Sequence, residues 1–157
     1  MAGPLAHLRV LDCTDLRGAL AGRLLADLGA EVLKIEPPGG DRGRRRGPFV
    51  GDRPGDDRSL PFLYRNLNKR TLPLDLHVAA DAARFRALCD GADVLLENFG
   101  LNRRQVLDLA PEVVQARHPR LVHVALTDFG LAGPRAHWRA EPLVAFGMDY
   151  GDYLRLD

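Results

Sequence analysis

The sequence is poor in cysteine and has no long apolar run, and each shortage excludes a class of protein. Its two cysteines, Cys13 and Cys89, are too few for a small secreted domain held together by disulfides. The longest apolar runs are a few residues, far short of the roughly 20 that cross a bilayer, and residues 1–11 lack the pattern of a cleaved leader. We therefore expect a cytoplasmic protein that does not bind membranes, with both cysteines as core thiols.

Two common ligand signatures are also missing. No two of the five histidines show the spacing of a metal site, so we expect no metal. The first predicted strand leads into residues 15–22 (DLRGALAG) rather than into G-x-G-x-x-G, and the sequence has no Walker A loop. A nicotinamide, flavin or P-loop nucleotide site therefore has no support in these motifs.

The composition is that of an ordinary globular protein, with 46% hydrophobic and 27% charged residues and a net charge of only +1. A chain of 157 residues can bury about two-thirds of the surface that its unfolded form exposes. We therefore expect one domain over residues 1–157, and the balanced charge does not indicate a nucleic-acid partner.

Strand and helix patterns alternate along the chain. Gly29 ends the first predicted helix, Pro37 and Pro38 stop the second predicted strand, and residues 37–61 show no period and are predicted as a loop. The predicted strands are residues 8–13, 31–36, 93–99 and 120–126, and the predicted helices are residues 19–28, 79–89 and 103–117.

Strands that alternate with helices of this length predict an α/β fold, an open parallel sheet flanked by helices on both faces. In such sheets ligands bind beyond the carboxyl ends of the strands. The residues of interest are therefore those that follow each strand, namely 15–19, 36–46, 98–100 and 127–130.

Cations are concentrated at two loop-like places. Residues 42–47 read RGRRRG, and residues 66–75 read NLNKRTLPLD. Guanidinium forks among glycines suit a phosphate, and Lys69 and Arg70 could add to the same positive field. A merely solvated loop explains the charge pattern equally well.

Five motifs in this order resemble the N-terminal segment of the family III CoA transferases, which include formyl-CoA and carnitine CoA transferases and α-methylacyl-CoA racemase. The resemblance runs from Pro4 to Pro134 and implies a Rossmann-like α/β part of that fold. The motifs are PLAHLRVLDCT, LLADLGAEVLKIEPPGGD, NLNKRTLPLDL, ADVLLENF and HPRLVHVALTDFGLAGP.

The resemblance implies that the chain binds coenzyme A or an acyl-CoA as a substrate. It places the arginines of residues 42–46 at the phosphates, residues 74–77 beside adenine, residues 98–100 along the pantetheine arm, and Arg17 toward the acyl end. An arginine shortly after the third predicted strand, Arg103 or Arg104, would hold a further phosphate. The candidate binding residues are Arg17, Arg42, Arg44, Arg45, Arg46, Lys69, Leu74, Asp75, His77, Asn98, Phe99, Gly100 and Arg104.

The resemblance assigns no catalytic nucleophile. The family's catalytic aspartate follows the segment that resembles Glu141–Gly147, and we expect this chain to lack both that region and the family's second domain. Asp15 and Asp128, which end strands, and Asp152 in the tail are weak catalytic candidates. The first two could equally cap the turns that follow them.

Three functions remain open from the sequence. The chain could be part of a split or shortened CoA transferase or racemase, with a partner chain supplying the missing domain. It could be a small enzyme whose pocket is repurposed for an isomerisation or cyclisation in a biosynthetic pathway, or a non-catalytic CoA-binding or interaction module. A homo-oligomer or a partner chain is expected in each case, because a missing domain would leave apolar surface to be covered.

Overall fold

A computed structural model describes residues 3–138 and residue 140. The chain divides into two compact units, residues 1–126 and 127–157, and the single domain expected over the whole chain stays a prediction. The first unit holds a five-stranded sheet in the order β3-β2-β1-β4-β5 with every neighbouring pair parallel, which confirms the predicted α/β fold. The strands are β1 (Arg9–Cys13), β2 (Glu31–Glu36), β3 (Arg70–Pro73), β4 (Val94–Glu97) and β5 (Val122–Ala125).

Helices cover both faces of this sheet. Helices α1 and α2 pack together on one face, and α3 and α5 contribute to the core on the other. The helices are α1 (Ala19–Asp27), α2 (Leu60–Asn66), α3 (Ala79–Asp90), α4 (Leu101–Val106) and α5 (Pro111–Arg117).

The structure adds two elements where the sequence pattern indicated loops. Helix α2 begins within the predicted loop, where the Ser59 hydroxyl caps it by accepting the N–H of Phe62 at 3.3 Å. Strand β3 lies within the cationic segment 66–75 and forms an edge of the sheet. Its side chains are mostly exposed, so it lacks the apolar alternation that reveals a half-buried strand.

The single helix predicted over residues 103–117 is wrong. Asp108 takes a φ of 58°, which ends the first helical stretch, and Pro111 opens the second. The structure therefore has two short helices, α4 and α5, in that region.

An apolar core fills the face of the sheet under α3. Leu11, Ile35 and Leu95 point from three strands toward Phe85, which is fully buried. Cys13 and Cys89 belong to the same cluster, which confirms that they are core thiols, and burial raises the pKa of Cys89 to about 12.

Helix α1 turns its small residues toward the sheet. Ala19, Gly22 and Ala26 are buried, and they let the helix axis approach the strands closely. The larger residues Leu20, Leu24 and Leu28 are instead 39%, 56% and 47% exposed, and they form an apolar stripe on the outside.

Candidate functional site

The carboxyl edge of the sheet gathers the loops that follow the strands. The strand order reverses between β1 and β4, the position at which open parallel sheets form a ligand crevice. There the backbone N–H of Asp15 donates to Oδ1 of Asn98 at 3.1 Å, so the two loops that border the crevice are joined.

The loop after β2 carries four arginines, and we name residues 41–46 the arginine loop. Residues Arg42–Arg45 form a 3₁₀ turn, and the Asp41 carboxylate caps it by accepting the N–H of Gly43 at 2.6 Å. Arg42 and Arg46 are exposed and make no side-chain hydrogen bond or ion pair with any residue that the structure describes. Arg45, also exposed, donates to the carbonyl of Gly39 at 2.8 Å. The loop therefore offers three guanidinium groups to solvent.

Arg44 is different from its neighbours, because its side chain is only 16% exposed. Its Nε lies 2.7 Å from Oε2 of Glu36 and its Nη2 lies 2.8 Å from Oε1, so the guanidinium grips both oxygens of one carboxylate. Its third nitrogen lies 2.6 Å from Oδ1 of Asp57, and the group sits 4.1 Å from the ring centre of Phe62. Arg44, a predicted phosphate ligand, is thus bound within the protein.

Lys69 is also held internally. Its Nζ donates to Asp12 at 2.6 Å, to the carbonyl of Ala19 at 2.6 Å and to Asn66 at 2.9 Å, and neither charged side chain is exposed. Burial lowers the pKa of Lys69, and the Asp12 charge opposes that change. Lys69 therefore ties the segment before β3 to β1, and its predicted contribution to an anion site remains untested.

A second buried lysine, Lys34, supports two of the rim loops. Its Nζ donates to the carbonyl of Thr14 at 2.6 Å and lies 3.2 Å from Oδ2 of Asp41. The loop after β1 and the arginine loop are therefore anchored on one ammonium group. The sequence pattern placed Glu36 among the residues of interest but did not single out Asp12 or Lys34. Each of these two is a charged residue between apolar ones within a strand, and that signal could have identified them.

The loop after β3 carries the predicted adenine segment. Leu74 is buried, and the Asp75 carboxylate accepts the N–H of His77 at 2.9 Å. Arg103 donates to the carbonyl of Leu76 at 2.8 Å and contacts the His77 ring. The sequence suggested either Arg103 or Arg104 as a phosphate ligand, and it is Arg103 that contacts the predicted adenine segment.

Arg104 lies inside the protein. It forms an ion pair with Glu97 and donates to the carbonyl of Leu109 at 2.7 Å, and burial lowers its pKa. Glu97 also lies 3.1 Å from Nε2 of His123 and accepts the N–H of Phe99 at 2.7 Å. The pair therefore positions the segment 98–100, in which Gly100 is exposed.

The weak catalytic candidates have different surroundings. The Asp15 carboxylate accepts the N–H of Arg17 at 2.9 Å and pairs with its guanidinium at 3.1 Å. Partial burial would raise the pKa of Asp15, but these contacts outweigh it, so the pKa lies below its usual value and the group is an anion at neutral pH. Asp128, in the second unit, accepts the N–H of Ala140 at 3.2 Å, and Asp152 lies outside the described residues.

The described part of the chain shows no group of three or more side chains that could hold a metal ion. Within the same residues, no helix has the length and apolar character needed to cross a membrane.

Comparison with known proteins gives consistent matches. The family model described as CoA-transferase family III matches residues 5–148. The chain is 38% identical over 148 residues to succinyl-CoA:(R)-benzylsuccinate CoA-transferase subunit BbsE of Thauera aromatica, covering 94% of this chain and 36% of that protein. It is 40% identical over 131 residues to succinyl-CoA:mesaconate CoA-transferase of Haloarcula hispanica, covering 82% and 33%. The chain thus spans about a third of the length of these curated relatives.

Solved structures agree with this result. A CAIB/BAIF family protein from Brucella suis has a TM-score of 0.83 at 32% identity, covering 94% of this chain and 39% of that one. The orthorhombic form of Rv3272 from Mycobacterium tuberculosis has a TM-score of 0.82 at 35% identity, covering 99% and 43%. From its sequence and its fold together, this chain belongs to the CoA-transferase family III.

Proposed function

We propose that this chain binds the nucleotide half of coenzyme A, free or acylated, at the carboxyl edge of its sheet, as part of a CoA transferase. The observation that carries the proposal is the contrast within the arginine loop. Arg42 and Arg46 are exposed with no partner among the described residues, whereas Arg44 is held by a buried carboxylate. Unpaired guanidinium groups on an anchored loop suit a ligand with several phosphate charges.

The order of the strands supports this orientation of the coenzyme. Strands β2 and β3 are neighbours, so the arginine loop and the segment 74–77 leave the sheet side by side. The phosphates would lie at the arginine loop and the adenine beside residues 74–77, with Arg103 close to His77. The pantetheine arm would then run toward residues 98–100, and the thioester toward the crevice between β1 and β4.

The transfer reaction itself belongs to the proposal. The names of the relatives describe transfer of CoA between carboxylic acids, and a carboxylate that attacks a thioester must be ionised. Asp15 meets that requirement but is engaged with Arg17, and the catalytic roles of Asp15, Asp128 and Asp152 stay predictions. The expected homo-oligomer or partner chain also stays a prediction, supported by the exposed leucine stripe on α1.

Calorimetric titration of the purified chain with coenzyme A tests the proposal. We expect Arg42→Ala and Arg46→Ala each to weaken binding about fivefold, the equivalent of about 1 kcal/mol for an exposed ion pair. Arg120→Ala is the matched control, because Arg120 is also exposed but precedes β5 at the opposite end of the sheet.

Two analogues of coenzyme A show which part of the ligand the arginines contact. Pantetheine lacks the nucleotide, so the loop variants should not change its binding, whereas dephospho-CoA should reveal which arginine serves the ribose phosphate. Equal affinity of the wild type and the Arg42→Ala/Arg46→Ala double variant for coenzyme A would contradict the proposal.

A further inference from the structure

The four arginines of the arginine loop do not play the same part in the structure. Three of them are exposed, and Arg44 alone among them contacts a buried carboxylate, that of Glu36, whose side chain is 5% exposed. The contact uses two guanidinium nitrogens and both carboxylate oxygens, the fork geometry that fixes orientation as well as distance. Arg44 therefore has its hydrogen-bonding edge turned into the protein.

Glu36 joins the loop to the sheet at a second point. Its Oε2 also accepts the backbone N–H of Asp41 at 2.9 Å, so one carboxylate holds both the start of the arginine loop and Arg44. Burial alone would raise the pKa of Glu36, but the bonds from Arg44 and Asp41 lower it, which keeps the anion in place.

Two other contacts restrain the same loop. Lys34 lies 3.2 Å from the Asp41 carboxylate, and the buried Ser59 hydroxyl donates to the carbonyl of Gly43 at 2.9 Å. The loop also packs closely at Gly43, because a Cβ there would lie 2.8 Å from Cγ of Leu16 and would displace that side chain. The loop backbone is therefore anchored by buried groups, while its exposed arginine side chains remain accessible to a ligand.

We propose that Arg44 is a positioning residue rather than a ligand of the coenzyme, and that its fork on Glu36 holds residues 41–46 so that Arg42, Arg45 and Arg46 face the phosphates. The part that concerns phosphate rests on the function proposed above. The part that concerns the loop stands on the structure alone and is tested separately.

Three variants separate the two roles. Glu36→Gln keeps the side-chain shape but removes the charge that holds Arg44. Arg44→Lys keeps the cation but cannot span both oxygens of Glu36, and it is a second route to the same result if the neutral glutamine prevents folding. Asp57→Asn is the matched control, because Asp57 also pairs with Arg44 but its side chain is 85% exposed.

Amide hydrogen exchange measures the loop directly. We expect exchange of residues 41–46 to become at least about tenfold faster in Glu36→Gln and Arg44→Lys and to stay unchanged in Asp57→Asn. The amides of β1 and β4 report on the fold and should not change in any of the three. Unchanged exchange at residues 41–46 in Glu36→Gln and Arg44→Lys would overturn the proposal, whether or not coenzyme A binds.

Titration with coenzyme A then distinguishes positioning from direct contact. A positioning role predicts that Glu36→Gln and Arg44→Lys each weaken binding about tenfold and that the double variant is no weaker than either single one. A direct phosphate contact predicts the reverse for Glu36→Gln, because Arg44 would be released toward the ligand and affinity would hold or rise. Failure of the wild type to bind would contradict the function proposed above, and hydrogen exchange would still decide the role of the Glu36–Arg44 pair.

Discussion

Strands β1 and β2 present two faces that differ in chemistry. Leu11 and Ile35 enter an apolar core beneath α3, whereas their chain neighbours Asp12, Lys34 and Glu36 are buried beneath α1 and α2 as charged groups. Because neighbouring side chains of a strand point to opposite faces, a shift of one residue would exchange the two environments. The apolar face fixes the register of these strands. The charged face holds the loops that follow their carboxyl ends.

The charged groups are confined to the carboxyl half of their face. The amino half of the same face is apolar, with Val10 and Val32 packed against Ala26. Buried charges cost stability unless they are paired, and here three cations face three carboxylates. The pairs are Lys69 with Asp12, Lys34 with Asp41, and Arg44 with Glu36. These pairs hold the loops at the carboxyl edge of the sheet, because Lys34 contacts Thr14 and Asp41, and Glu36 contacts Asp41 and Arg44.

Among the variants considered for the charged face, Lys69→Met should cause the largest loss of stability. It leaves the Asp12 carboxylate buried without its cation, so we expect the free energy of unfolding to fall by about 3–5 kcal/mol. The neighbouring Arg70→Met is the control: its ion pair with Glu31 is exposed, and we expect a loss below about 1 kcal/mol. Urea denaturation measures both variants. Equal losses would show that the buried pair matters no more than a surface pair.

A smaller effect is expected from Gly22→Ala on α1. Within a helix this change alone would stabilise by about 1 kcal/mol, because glycine is the poorer helix former. Here a methyl group would overlap the Asp12 carboxylate and disturb Lys69, so we expect a net loss of about 1–3 kcal/mol. Thermal denaturation decides between the two signs, and a gain in stability would mean that the ion pair tolerates displacement.

The smallest effect is expected in the pH dependence of stability under acidic conditions. The pKa of Glu36 is lowered in the folded chain, so its stabilising contribution is complete above its ordinary value of 4.5 and is lost as the pH falls through the lowered value. The difference in unfolding free energy between the wild type and Glu36→Gln should therefore be constant near neutrality and shrink in acid. Each pKa unit by which folding lowers the pKa of Glu36 corresponds to about 1.4 kcal/mol of unfolding free energy.

Denaturation of both proteins between about pH 3 and pH 7 tests this expectation. Glu31→Gln, which removes an exposed carboxylate, controls for the acid sensitivity of the rest of the chain. A difference that stayed constant at every pH would contradict a stabilising role for the Glu36 anion.

The hydrophobic periodicity of the sequence predicted most of the strands and helices of the fold. The strand at residues 31–36 has the predicted bounds, and α3 buries Ala82 and Phe85 on one face as its spacing indicates. Strand β3 escaped prediction because an edge strand with exposed side chains carries no such period. The sequence also identified the arginine loop, but it could not show which arginine is bound internally, because that depends on Glu36 and Asp57 being brought together in the fold.

The pairing of Lys69 with Asp12 has a consequence for how the chain folds. The two residues are 57 positions apart, and Lys69 directly precedes β3, the outermost strand on that side. Local contacts alone cannot complete the charged face, and long-range pairing of this kind is slow to form. Lys69 reaches Asp12 only when β3 has joined the sheet, so the charged face depends on this edge strand as well as on the central strands.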